Sequence, residues 1–141
     1  MFHPQDLEIY SDGGARGNPG PGASAFVVFD NKKQVFEKSK YLGITTNNIA
    51  EYFAVLLAIF WLSKNVVDLQ TGKVKFFMDS ELVVKQLSGK YKIKNQKLKA
   101  IYEKIINLVN TNGMLVDFNH IPRNKNKKAD SLVNKEIDEN L

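Results

Sequence analysis

LEIYSDGGARGNPGPGASAFVVFDNKKQVFEKSKYL, residues Leu7 to Leu42, is the stretch that sets the architecture. Leu7, Ile9 and Ser11 alternate with Glu8, Tyr10 and Asp12, the period-two pattern of a strand. Residues 13–22 then carry five glycines and two prolines, which reads as a turn-forming loop rather than an element. A second strand is expected over Ala23–Phe29. Asp30-Asn31-Lys32-Lys33 has the composition of a hairpin turn, with a third strand over Gln34–Leu42. Strands joined this tightly pair antiparallel.

Downstream the period changes. A long helix is expected from Asn47 or Asn48 to about Asn65, and either asparagine can cap it. Val74–Met78 is a short apolar strand, Ser80–Leu87 a helix ended by Gly89, and Met114–Ile121 a final strand. Between them Leu98, Ile101, Tyr102, Ile105 and Leu108 repeat at helical spacing, which predicts a helix over about 95–109. A last helix is expected over about 126–139. Strands separated by helices form parallel pairs. The chain therefore reads as α/β, a mixed five-stranded sheet with three antiparallel strands followed by two parallel ones, flanked by helices. No repeat or linker interrupts it, so residues 1–141 read as a single domain.

Composition narrows the function. Hydrophobic residues make up 43% of 141, enough for a packed core, and there are no cysteines. Disulfide scaffolds and thiolate metal sites are excluded, so any metal must be held by oxygen or imidazole. The first ten residues lack the basic start and apolar core of a signal peptide, and the apolar run Ala54–Leu62 is far too short to span a bilayer. A cytoplasmic protein without a membrane partner is the expectation, and a monomer, since nothing implies an obligate protein partner. A net charge of +5 favours a polyanionic partner, although lysines decorating a solvated surface would give the same number. Only Arg16 and Arg123 are arginines among 20 basic residues, which singles out those two positions.

Three acids stand in informative places. Asp12 and Asp79 each end an expected strand, at the rim where open α/β sheets bind ligands. They lie side by side if the first and fourth strands are neighbours. Glu51 shares a helical face with Val55, Ala58 and Leu62, so it points toward the sheet, where an unpaired carboxylate is costly and a cation is implied. The plain alternative is a first-turn glutamate favoured by the helix dipole. Asp130, one turn into the last helix, says little taken singly. Four carboxylates converging on one rim would repel unless divalent cations neutralised them, and hard oxygen ligands suit Mg²⁺ or Mn²⁺. That chemistry points to two-metal phosphodiester cleavage.

Four blocks in order carry a resemblance. Tyr10-Ser11-Asp12-Gly13-Gly14-Ala15-Arg16-Gly17-Asn18-Pro19-Gly20-Pro21-Gly22-Ala23 is the first, and Thr45-Thr46-Asn47-Asn48-Ile49-Ala50-Glu51 the second. Phe77-Met78-Asp79-Ser80 and Pro122-Arg123-Asn124-Lys125-Asn126-Lys127-Lys128-Ala129-Asp130 follow. Together they resemble the signature of type 1 ribonucleases H, from Leu7 to about Lys135. The resemblance implies that Asp12, Glu51, Asp79 and Asp130 are catalytic acids holding two Mg²⁺ ions, with Mn²⁺ as a substitute. It implies an endoribonuclease that hydrolyses the RNA strand of RNA–DNA hybrids and leaves 5′-phosphate and 3′-hydroxyl ends. Gly13, Gly14, Ala15, Asn18 and Asn48 resemble the part that contacts ribose 2′-hydroxyls, the group that distinguishes RNA from DNA. Thr46 and Asn47 resemble positions that grip the DNA strand.

The chain also departs from the commonest bacterial pattern. Glu81 stands where many members carry a glutamine, and Ser88–Lys94 is too short for the basic handle of some members. Tyr91 with Lys90, Lys92 and Lys94 offers a smaller basic surface, or only a solvated loop. For the auxiliary group, Arg123 matches members with a Pro-Arg pair before the last acid and is expected to assist catalysis. His120 shares strand parity with Val116 and Phe118, which favours a structural role. Two competitors remain: another nuclease of the same fold, which would lack the glycine–asparagine block, and a non-catalytic hybrid-binding module, which would tolerate loss of an acid.

Overall fold

Pairing of the first strand organises the rest. In this computed structural model, which describes residues 2–141, β1 (Leu7–Ala15) pairs antiparallel with β2 (Gly20–Asp30) on one side. On the other it pairs parallel with β4 (Lys73–Met78), through Glu8, Ile9 and Tyr10 only. β3 (Lys33–Thr45) extends the sheet beyond β2, and β5 (Leu115–His120) runs parallel beside β4. The order is β3-β2-β1-β4-β5. The expected mixed sheet is the observed one. Asn31 and Lys32, both at positive φ (49° and 70°), form the two-residue turn between β2 and β3. Positive φ at both central residues is the type I′ pattern, whose twist matches that of the strands.

The glycine-rich segment differs from expectation. β1 runs on through Asp12, Gly13 and Gly14 to Ala15, and β2 begins at Gly20, so the loop is only residues 16–19. The reason is close approach. A Cβ on Gly13 would lie 2.2 Å from the backbone carbon of Ala50, so only glycine lets β1 continue beneath the next helix.

That helix, α1 (Asn47–Asn65), buries Val55, Ala58, Ile59 and Leu62 completely against Ile9, Phe26, Val28 and Phe76. Val55, Ile59 and Leu62 each contribute about 1.5–3 kcal/mol through apolar burial. Its cap is Thr46, whose side chain accepts from the Ile49 amide at 3.3 Å; neither Asn47 nor Asn48 is the cap. The asparagines are already inside the first turn, where a capping geometry is closed to them. Helices α2 (Glu81–Leu87) and α3 (Gln96–Thr111) share this side, capped by Ser80 and Asn95. On the opposite face α4 (Lys127–Glu139) packs Val133 and Ile137 on Ala23 and Ala25 of β2. No described helix is long and apolar enough to cross a membrane.

Candidate active site

Parallel pairing brings the carboxyl ends of β1 and β4 to one edge, and there the two strands part. β1 continues past Tyr10 with β2 alone, while β4 stops at Met78 and turns into α2. The crevice between them receives Asp12, from within β1 rather than from its end, and Asp79, the residue after β4. Across the mouth stands Glu51, one turn into α1, heading the buried stripe of Val55, Ala58 and Leu62. Asp130 enters from the first turn of α4. All four line a single cavity of about 470 Å³, together with Gly13, Gly14, Ala15, Asn47 and Arg123.

The electrostatics of that cavity are severe. Burial, reinforced by repulsion from Asp79, Asp130 and Glu51, holds the Asp12 carboxyl up at about 8, despite a hydrogen bond from the Gly13 amide. Glu51 is raised to about 7 by burial and by Asp79, with Ser80 donating a partly offsetting hydrogen bond. Burial also raises Asp79, opposed by the Asn126 side chain and the Arg123 guanidinium. Carboxyls that keep protons near neutrality are carboxyls short of positive charge. Among the described residues no three acid or histidine side chains close on a point as a ready-made cage. An all-oxygen set around an open cavity nonetheless fits a hard divalent cation that keeps water and takes substrate oxygens into its shell.

The expected substrate contacts divide. Asn47 ties the glycine segment to α1: its Oδ1 accepts from the Ala15 amide at 2.9 Å, and its own amide donates to Asn18 Oδ1 at 3.0 Å. Thr46 is occupied as the α1 cap, and Asn48 lies in the first turn outside the cavity wall. Arg16 lines the cavity but turns its guanidinium to Asp138 and to the Asn134 carbonyl on α4. Arg123 lines the cavity, whereas His120 is exposed at the end of β5 near Glu81, without the packing role its strand parity implied. Parity gives a face, but at a strand's last residue no neighbour remains to cover it. Lys85 engages Glu81 at 2.7 Å and holds its carboxyl below the usual range.

Asn126 was not singled out from sequence and belongs with the site. Almost fully buried, it sits where α4 would be capped but does not cap it. Its Nδ2 instead donates to the Ser11 carbonyl at 2.9 Å, and its side chain lies near enough to Asp79 to pull that carboxyl down. One amide thus ties the acid-bearing part of β1 to the start of α4, beside Asp79. Its Oδ1 has no partner within the protein. The available signal was its position one helical turn before Asp130.

Residues 10–136 match the family described as Reverse transcriptase-like. LC11-RNase H1, isolated from compost and solved in complex with an RNA/DNA hybrid, is 44% identical; the match covers 94% of this chain and 97% of that one, with a TM-score of 0.89. RNase H1 of the halophilic archaeon Halobacterium salinarum is 31% identical over 94% of this chain and 98% of that one, with a TM-score of 0.84. A bifunctional protein of Mycobacterium tuberculosis is 34% identical over 92% of this chain, which spans only 35% of that relative's length. With the sheet order, the ordered acids and these likenesses in hand, the chain belongs to the type 1 ribonuclease H family.

Proposed function

We propose that the chain is an endoribonuclease that hydrolyses the RNA strand of RNA–DNA hybrids, with Asp12, Glu51, Asp79 and Asp130 as its catalytic and metal-binding acids. The observation that carries this reading is the gathering of four carboxyls in one open cavity, where burial and mutual repulsion hold Asp12 and Glu51 partly protonated. Ribonuclease H enzymes are metal-dependent in general, and this donor set suits two Mg²⁺ ions, with Mn²⁺ as a substitute. Bound there, such ions supply activation of water and neutralisation of the leaving oxygen, giving 5′-phosphate and 3′-hydroxyl ends.

The chain's own residues do the rest. Asp12, within β1, Asp79, directly after β4, and Glu51, fixed by the buried stripe of α1, hold the ligand oxygens in place. Arg123 steadies phosphate charge at the edge of the cavity. Gly13, Gly14 and Ala15 present backbone to the ribose 2′-hydroxyls of the RNA strand, with Asn18 and Asn48 beside them. Thr46 and Asn47 meet the DNA strand. The solved complex of LC11-RNase H1 with a hybrid supports this assignment of substrate. The cytoplasm as location and a monomeric state complete the reading.

The test is direct. Purified protein is incubated with labelled hybrid, duplex RNA and duplex DNA, with Mg²⁺ or with chelator. Metal-dependent cutting of RNA in the hybrid is expected, and Asp79→Asn should abolish it while hybrid binding survives. Cutting of duplex DNA instead would overturn the substrate assignment.

A further inference from the structure

A second cavity, of about 370 Å³, opens on the α4 face of the sheet, with Tyr10, Phe29, Lys32, Lys125, Lys127 and Lys128 in its wall. That volume lies within the roughly 300–1,000 Å³ of ordinary ligand pockets. Its aromatic floor is Tyr10 and Phe29, with Phe77 behind Tyr10 and outside the cavity wall, for a reason of register. Tyr10 pairs with Phe77 across β1 and β4, and their rings stack with centroids 5.0 Å apart. Phe29 of β2 meets Tyr10 edge-on at 5.5 Å. All three alternate with Ile9, Phe76 and Val28, which are fully buried under α1, so they occupy the other face. There α4 covers Ala23 and Ala25 and leaves the three rings half-buried.

The rim is cationic. Four lysines face a single carboxylate, Glu8, which Lys32 already engages at 3.0 Å. Among the described residues Lys125, Lys127 and Lys128 form no ion pair. Lys128 Nζ stands 5.8 Å from the centroid of the Phe29 ring and donates to Gln34 Oε1, so a base stacking on Phe29 takes the place of this lysine over the ring. Aromatic faces beneath a lysine rim are what an unpaired nucleotide needs, its base on the rings and its phosphates on the ammonium groups. A duplex cannot use such a floor, because its base faces are already stacked.

We propose that this cavity binds an unpaired nucleotide of a single-stranded nucleic acid, at a site separate from the four-acid cavity. Tyr10 and Asp12 leave β1 on the same face two residues apart, so a single strand continuing from the acid cavity reaches the aromatic floor directly. The inference goes beyond hybrid cleavage and does not require it, since single-strand binding here needs neither the acids nor a metal.

Fluorescence anisotropy with a labelled oligothymidylate tests it, in chelator and without hybrid. Phe29→Leu, which keeps an apolar side chain but removes the ring, should weaken binding about tenfold. Replacing Lys125, Lys127 and Lys128 with glutamine should reduce the slope of log affinity against log salt by about two, at roughly 0.7 per phosphate contact on a single strand. In a second arm, blunt hybrid saturating Asp79→Asn should leave the oligothymidylate bound. Parent-like affinity and salt slope in both variants would overturn the proposal. So would displacement of the oligothymidylate by the hybrid, because the two would then share one cavity. A failure of hybrid to bind at all bears on the cleavage reading and leaves the first arm decisive.

Discussion

At the scale of single residues, two adjacent glycines have different causes. Gly13 is dictated by packing, since a Cβ there meets the Ala50 backbone at 2.2 Å. Gly14 is not: its nearest neighbours would be Val133 Cγ1 at 3.8 Å and Asn47 Oδ1 at 3.9 Å, ordinary contacts. Gly13→Ala should therefore cost about 3 kcal/mol or more, because rigid backbone cannot yield as a side chain can. Gly14→Ala should keep its stability to within about 0.5 kcal/mol yet bind hybrid several-fold more weakly, as a methyl group intrudes where nucleic-acid backbone approaches. Thermal melts and a binding titration on both variants check this, and undiminished hybrid binding by Gly14→Ala would remove that glycine from the interface. Arg123 follows a different rule. It stands in the cavity wall and acts on Asp79 by charge, so Arg123→Ala should lower turnover more than hybrid affinity. Unchanged turnover would end its assignment as a catalytic helper.

Among the elements, the decisive event is the divergence of β1 from β4 after Tyr10. A longer β4 partner would have filled the crevice with ladder hydrogen bonds and left no room for Asp12 and Asp79 to face one cavity. The third side of that crevice is α4, and Asn126 locks it by donating to the Ser11 carbonyl. Asn126→Ala leaves that buried carbonyl without its donor, at a cost of about 1–3 kcal/mol. Since the same side chain also holds the Asp79 carboxyl down, turnover should fall more than KM rises. Steady-state kinetics beside a melt decide it: a stability loss with parent-like turnover would make Asn126 a structural lock only.

The whole molecule feels the acid cluster through pH. Asp12 is held at about 8 and Glu51 at about 7, against ordinary values of 3.8 and 4.5. Between roughly pH 4 and pH 8 the metal-free fold thus retains protons that the unfolded chain has released. The stability from these groups is complete below the unfolded values and is lost as pH rises through 7 and 8. Chelated protein should melt at progressively lower temperature from about pH 5 to pH 8.5. Added Mg²⁺ should raise the midpoint most at the alkaline end, where it replaces the missing protons. Asp12→Asn should flatten the profile. A flat profile in the parent protein with chelator would contradict the electrostatic clustering.

Much of this was legible in the chain itself. Period-two and helical spacing, with turn residues between, determined the order of elements and hence the mixed sheet, because burial of one face repeats with each element's own geometry. Glu51 could be read as facing the sheet from its apolar neighbours and Asp79 as following a strand, whereas Asp12, expected at a strand's end, lies within β1. Only tertiary contact decided the rest. The glycine segment is strand rather than loop because α1 presses on Gly13, a neighbour 37 residues away in sequence. Thr46 rather than an asparagine caps α1, and Asn126 spends its amide on β1 instead of its own helix. His120 lost its packing role because the sheet ends there. Local pattern determines which way a side chain points, but what it meets depends on segments brought together from far along the chain.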